Sequence, residues 1–229
     1  SNIWKAQGLT VSLIQDGVNL KLSMNSFYEF CRFTTAPRFL HGEAQQVKSA
    51  FVERAETSGG QLFGCWRSMV GLGLARDEGI ALSSWPNAVA IGNAPALASE
   101  GVVSSNFHVL DSCVRPVDNT PPTYDGVYVF RWFDIDASDW DTFREISNTA
   151  WPNMERVFDV NICGFWSSQE VATPDAKILL LTRYADLSVW EASRWWNKPT
   201  AKANASMSRF EKRNNIIKST IAYPSLLIL

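Results

Sequence analysis

The chain has 229 residues, 46% of them hydrophobic and 19% charged, with a formal net charge of −2. Charged residues fall below the usual ~25%, so the chain is core-rich and not disordered. The mildly acidic balance argues against nucleic acid or an anionic membrane as main partner, since both need basic patches, and no apolar run reaches the ~18 residues of a membrane span.

The chain opens with Ser1-Asn2-Ile3-Trp4-Lys5, which lacks the basic-then-apolar order of a secretory signal. Residues 8–22 read as an N-terminal hairpin turning at Asp16-Gly17. Residues 27–34 alternate and are aromatic, which predicts a strand. Ala44, Val47, Phe51 and Ala55 recur at helical spacing within 42–58, ahead of Gly59-Gly60. Residues 61–69 and 79–85 read as two further strands. Residues 86–125, rich in Ala, Gly, Ser, Asn and Pro, read as a long connector, with the domain boundary at Asn119-Thr120-Pro121-Pro122.

The second half predicts a strand over 126–135. A helix follows, with Ser138 and Asp141 placed as a capping box and Trp140, Phe143, Ile146 and Ala150 on one face. Pro152 ends or kinks it. Strands over 160–168 and 177–184 and helices over about 186–196 and 203–219 complete the chain. The basic residues Arg209, Lys212, Arg213 and Lys218 read as a solvated helix face.

Two blocks repeat at an offset of 100. Residues 28–33 (YEFCRF) match 128–133 (YVFRWF), and 64–68 (GCWRS) matches 164–168 (GFWSS). Phe51 falls opposite Trp151, and Ile80-Ala81-Leu82 opposite Leu180-Leu181-Thr182. Each half reads β-α-β-β-α, the order of a ferredoxin-like unit. Such a sheet covers one face with helices and must bury the other. The predicted architecture is therefore α+β: two tandem ferredoxin-like units, 1–118 and 119–229, closing on each other as a dimeric α/β-barrel-like pseudo-dimer. The space between the sheets is the expected pocket.

The Tyr-x-Phe-Arg-x-Phe strand, the Gly-Phe-Trp strand and the Leu-x-Leu-x-x-Tyr strand before a helix resemble the NIPSNAP-like branch of the dimeric α/β-barrel superfamily. Residues 126–196 carry the resemblance best. In the first half Cys31 replaces the strand arginine that Arg131 supplies. The resemblance implies a tandem ferredoxin-like barrel. It implies function among cofactor-free monooxygenases of polyphenols, polyketide cyclases, hydroxynitrile lyases, and haem-dependent aldoxime dehydratases and chlorite dismutase-like proteins. For the haem branch it implies a histidine in the helical region of the second half, where neither His41 nor His108 falls.

Alternation along the strands places Glu29, Cys31 and Phe33 on one face and Arg131 and Phe133 on the matching face, and these are expected to point between the sheets. A charge buried there needs a partner or a ligand. The expected roles are Arg131 polarising an anionic oxygen, Glu29 acting as a base, His41 acting from a loop at the barrel mouth, and Tyr184 donating a hydrogen bond. Cys31, Phe33, Trp66, Phe133, Trp166 and His108, the last in a connector acting as a lid, are expected to line the substrate pocket. Four cysteines, Cys31, Cys65, Cys113 and Cys163, form no C-x-x-C pair, and two histidines form no metal-ligand spacing. They fit reduced core thiols in a cytoplasmic protein without a metal site.

These features predict a cofactor-independent enzyme, a lyase or related acid/base carbon-bond catalyst, acting on a small aromatic or apolar metabolite. The alternatives are a cofactor-free monooxygenase or cyclase of polyphenols or polyketides, and a non-catalytic small-ligand binder. Haem is the least unlikely cofactor. The chain is expected to be a monomer or a homodimer.

Overall fold

A computed structural model describes residues 27–69, 72–171, 173–194, 196–197 and 204–229, so the hairpin expected at 8–22 lies outside the described residues. The first half runs β1 (Phe27–Thr35), α1 (Phe39–Gly42), α2 (Ala44–Thr57), β2 (Gln61–Ser68), β3 (Glu78–Trp85), α3 (Ala88–Gly92) and β4 (Val102–Arg115). The second half runs β5 (Val127–Asp136), a 3-10 turn (Ala137–Asp139), α4 (Trp140–Val157), β6 (Val160–Ser168), β7 (Asp175–Tyr184), α5 (Leu187–Ala192), α6 (Asn204–Asn214) and β8 (Ser219–Leu227). The strands pair in the order β1-β3-β2-β8-β5-β7-β6-β4 and close into one antiparallel barrel. Each half contributes one sheet, β2-β3-β1-β4 or β6-β7-β5-β8, and the sheets join where β8 meets β2 and β4 meets β6. Two ferredoxin-like units thus share one barrel. Among the described residues no helix is long and apolar enough to cross a membrane.

The two halves match in strand register. Phe27 pairs with Trp85 as Val127 pairs with Tyr184. A bulge falls between Leu62 and Gly64 and another between Ile162 and Gly164. At each bulge a tryptophan two residues on lies over the glycine. A Cβ on Gly64 would meet Trp66 Cη2 at 2.2 Å, and one on Gly164 would meet Trp166 Cη2 at 1.8 Å. Leu82 pairs with Gly64 and Leu181 with Gly164, so β3 and β7 correspond at an offset of 99. The expected match of Ile80-Ala81-Leu82 with Leu180-Leu181-Thr182 therefore slips by one residue.

Several expectations are corrected. The connector over 86–125 contains α3 and the 14-residue β4, so His108 belongs to a strand and not to a lid. The helix over 203–219 stops at Asn214, and the chain continues into β8. The helix over 186–196 shortens to α5. Pro152 does not end α4, which continues to Val157. Pro152 and Asn148 are both exposed, so the Asn148 carbonyl that loses its i→i−4 donor faces solvent. The capping box is absent: Asp139 is the N-cap, without a side-chain hydrogen bond.

The faces are also reversed from expectation. The barrel interior is filled from both halves by Tyr28, Phe30, Trp66, Tyr128, Phe130 and Trp166, with Trp132 towards one end. Cys31 and Phe33 pack outward beneath α2, and Val129 and Phe133 outward beneath α4 and α6. An eight-stranded barrel has an interior just wide enough for side chains to fill. Large rings meeting edge to face fill it here, as in Trp66–Phe130 at 4.9 Å and Phe30–Trp132 at 5.3 Å. The sheet–helix layer of the second half, and not the middle of the barrel, leaves room for a ligand deep in the fold.

Candidate functional site

A cavity of about 210 Å³ lies between the outer face of the second sheet and helices α4, α5 and α6. Its floor comes from alternate residues of adjacent strands: Val129, Arg131 and Phe133 of β5, Leu180, Thr182 and Tyr184 of β7, and Thr220 and Ala222 of β8. Its walls are Trp151 and Met154 of α4, Trp190 and Arg194 at α5, and Phe210 and Arg213 of α6. The volume is below the ~300 Å³ at which drug-sized pockets begin, so the ligand it fits is small.

In the first half two charged side chains occupy the matching space. Glu29 takes a bidentate hold on Arg54 of α2, at 2.5 and 3.1 Å. The guanidinium also donates to the Pro95 carbonyl at 3.0 Å and stacks on Phe107 at 4.3 Å. Burial pushes the Glu29 carboxyl above its ordinary range, and Arg54 opposes this through hydrogen bonds and charge without cancelling it. At the offset of 100, Val129 and Met154 stand where Glu29 and Arg54 stand. Arg131 stands where Cys31 stands.

Three guanidiniums line the cavity: Arg131, Arg194 and Arg213. Arg213 is only 6% exposed. Phe133, Phe143 and Phe210 surround it at 5.2, 5.4 and 4.8 Å, and it donates to Ser147 Oγ at 3.1 Å. Burial and the neighbouring charge of Arg131 pull its pKa down to about 9, which leaves it charged at neutral pH. The same two causes lower Arg194, which stacks on Trp190 at 4.2 Å and reaches Glu191 only at 3.7 Å. Among the described residues neither Arg131 nor Arg213 forms an ion pair. Among the described residues, four buried donors around the cavity have no hydrogen-bond partner: Arg213 Nε, Trp151 Nε1, Trp190 Nε1 and Arg194 Nε, the last facing Glu191 Oε2 across 3.7 Å. Buried unpaired donors and like charges held together are costly. An anionic ligand with a flat apolar body would relieve both.

Of the expected site residues, Arg131, Phe133 and Tyr184 meet in this cavity. The others do not. Glu29 is held by Arg54 in the first half. Cys31 is buried beneath α2, where burial, Glu29 and only weak opposing effects raise its thiol far above the reactive range. Phe33 packs on Phe51 at 5.1 Å in the same layer. Trp66 and Trp166 fill the barrel interior. His41 is exposed on α1 and lines neither this cavity nor the barrel mouth. His108 faces the barrel mouth, with Nδ1 2.5 Å from Glu170 Oε2.

The sequence reading missed Arg213, Arg194, Trp190 and Met154. For Arg213 a signal existed. It follows Phe210 by three residues, which places it on the buried side of α6 and not on the solvated face expected for it with Arg209, Lys212 and Lys218.

A histidine-ligated haem does not fit this cavity. Its wall holds no histidine or cysteine, and the only two histidines of the chain stand elsewhere. The side chain in its lining with an axial-type oxygen is Tyr184. Among the described residues no group of three or more His, Cys, Asp or Glu could hold a metal ion.

No protein-family model matches the chain, and no curated protein matches it. Solved structures do. A protein from Lactobacillus acidophilus with a provisional monooxygenase assignment is similar at 11% identity and a TM-score of 0.55, over 89% of this chain and 94% of that one. An anthrone oxidase-like protein is similar at 11% identity and a TM-score of 0.55, over 90% and 93%. Chlorite dismutase from Candidatus Nitrospira defluvii is similar at 9% identity and a TM-score of 0.54, over 90% and 92%. These likenesses show the fold, a dimeric α/β barrel of ferredoxin-like units.

Proposed function

We propose that the chain is a cofactor-independent oxygenase of a small, planar phenolic or enolisable compound, bound as its anion between the second sheet and its helices. The observation that carries this reading is the set of three guanidiniums around an aromatic cavity whose lining holds no carboxylate or histidine. Within the superfamily we place the chain nearest the NIPSNAP-like branch, on the strands of Tyr128–Phe133 and Gly164–Trp166.

The chemistry follows from charge. A phenol or an activated methylene ionises more readily beside fixed cations, and its proton leaves to water. Arg131 and Arg213 hold the resulting oxyanion in a site with little water, where hydrogen bonds to charge are strong. Trp151, Trp190 and Phe210 bury the ring faces. An electron-rich carbanion then reacts with dioxygen directly. For a diaryl methylene, one substrate and one dioxygen give one diaryl ketone and one water. Both methylene C–H bonds are lost, one oxygen atom enters the product as the carbonyl, and the other leaves as water with the two hydrogens. Dioxygen is the oxidant, so the protein need only bind, orient and stabilise charge. Of the proteins with a similar fold, one carries a provisional monooxygenase assignment and another is described as anthrone oxidase-like. The lyase alternative relies on Glu29 and His41 as bases, and neither lines this cavity.

The test is oxygen uptake by the purified chain with anthrone and a panel of hydroxylated naphthalenes. The reading expects one dioxygen consumed per product and a loss of at least about 100-fold in kcat/KM for Arg131→Met or Arg213→Met. Binding of the panel without oxygen uptake would make the cavity a non-catalytic binding site and end the oxygenase reading.

A further inference from the structure

A second hollow, of about 290 Å³, opens at one end of the barrel, on the opposite side of the same strands. β5 separates the two. Arg131 and Phe133 point outward to the sheet–helix cavity, and Trp132 between them points into the mouth. Trp132 and Phe30 meet edge to face at 5.3 Å and form an aromatic floor. Three basic side chains stand around it. Arg32 is engaged by Glu78 through contacts of 2.7–3.1 Å and reaches Tyr223 Oη at 3.3 Å. His108 is engaged by Glu170 at 2.5 Å. Lys177 stands over the Trp132 ring at 5.5 Å and forms no ion pair among the described residues. Its cross-strand neighbour Asp134 accepts a hydrogen bond from Ser219 instead.

We propose that the barrel mouth is a second small-molecule site, which takes a planar aromatic monocarboxylate: the carboxylate on Lys177 and the ring against Trp132. The chemistry selects this class. Arg32 and His108 already have carboxylate partners, so Lys177 is the cation left to meet a ligand. A flat apolar floor beside one ammonium matches a ring bearing one anionic group. Glu170 in the lining, with Glu78 behind Arg32, opposes a second negative charge, which disfavours phosphate and other dianions. The alternation of β5, β7 and β8 makes this site separate from the three-arginine cavity. Lys177, Tyr223 and Trp132 are inward residues of strands whose outward residues line the other site.

The experiment is calorimetric titration of the whole chain with benzoate at pH 7, with inorganic phosphate as the comparison. The wild type is expected to bind two equivalents of benzoate. Lys177→Met is expected to bind one, its lost site weakened by at least about tenfold, and Lys177→Arg to keep both. Arg131→Met is expected to keep the equivalent that depends on Lys177. Lys177 is half-exposed, so the methionine variant should fold, which thermal unfolding checks. Retention of both equivalents in Lys177→Met overturns the proposal. So does a single wild-type equivalent that Arg131→Met abolishes, or phosphate displacing benzoate from the Lys177-dependent site. A single equivalent lost in Lys177→Met but kept in Arg131→Met would leave the mouth site standing and overturn the reading of the three-arginine cavity.

Discussion

Met154 stands on α4 at the position that Arg54 holds on α2, one hundred residues earlier, and both are buried against their sheets. The exchange distinguishes the two sheet–helix layers. In the first half the Arg54 guanidinium fills the sheet–helix layer and neutralises Glu29. In the second half a thioether and the short Val129 leave space, and Arg131 brings a charge to its floor.

Restoring the first-half pair should therefore close the site. Met154→Arg alone adds a fourth guanidinium with no carboxylate and should cost about 3–5 kcal/mol of stability. Adding Val129→Glu should recover most of that loss and abolish binding of a naphthoate probe. Denaturant unfolding and fluorescence titration of the two variants measure both effects. Unaltered probe binding in the double variant would show that the ligand sits elsewhere.

Arg213 is held for binding at the expense of stability. It is buried among three phenylalanine rings, it has one neutral acceptor, and Arg131 repels it. Replacing a buried charge by an apolar side chain of similar length is often stabilising by about 1–4 kcal/mol. Arg213→Met should accordingly raise the unfolding midpoint while lowering probe affinity by at least about tenfold. The wild-type affinity for a carboxylate probe should also stay flat between pH 6 and 8, because the lining cations are guanidiniums, which stay charged there. A less stable Arg213→Met protein would mean that the charge has a partner in the folded state.

How far these features are legible in the sequence depends on how strongly burial patterns each segment. β1, β2, β3, β5, β6 and β7 are readable because aromatic and aliphatic residues crowd them. β4 is not, because Ser104, Ser105 and Asn106 are exposed and β6 pairs only with its later part, from Leu110. β8 follows a basic helix and carries Pro224, so it reads as a continuation of that helix and then a tail. The choice of inner face is hidden for another reason. Both faces of β1 and β5 are buried, so alternation marks no solvent side. Ring size is the remaining cue: Tyr28, Phe30, Tyr128, Phe130 and Trp132 share the face that fills the barrel. Of the site, Arg131, Phe133 and Tyr184 are readable from the repeat. Arg194, just after α5, and Arg213, on α6, reach the cavity from segments that no repeat motif marks.

The acid side of the stability profile should depend on Glu78. Partial burial raises its carboxyl, but hydrogen bonds from Arg32 and the Ala75 N–H, with the charge of Arg32, outweigh this and set it below its ordinary value. A carboxyl lowered in the folded state contributes stability that is present above its unfolded pKa of about 4.3 and is lost as pH falls through the folded value. Glu78→Gln should thus lose stability at pH 7 and show a shallower decline between about pH 5 and 2. Glu29 works in the opposite sense, since its raised carboxyl weakens its contribution as pH rises above about 4.3. The difference between wild type and Glu78→Gln, taken by urea unfolding at each pH, isolates Glu78. Parallel curves across that window would show that the Arg32–Glu78 pair contributes nothing.

The two glycine bulges give a test of the repeat itself. A Cβ at residue 164 would sit 1.8 Å from Trp166 Cη2, and one at residue 64 would sit 2.2 Å from Trp66 Cη2. Both rings are fully buried in the barrel, where the neighbours leave no room to retreat. Trp166 is wedged by Tyr28 at 5.2 Å and Phe63 at 6.3 Å, and Trp66 by Phe130 at 4.9 Å and Tyr128 at 5.7 Å. Overpacking of this kind costs about 1–3 kcal/mol, and more where the strand itself must shift. Gly164→Ala and Gly64→Ala should each destabilise the whole barrel by at least about 2 kcal/mol, in one cooperative transition, because the rings from both halves share one core. Gly164→Ala/Trp166→Leu should recover part of the loss by removing the ring that clashes. Separate transitions for the two halves in either single variant would mean that the sheets fold as independent units and not as one closed barrel.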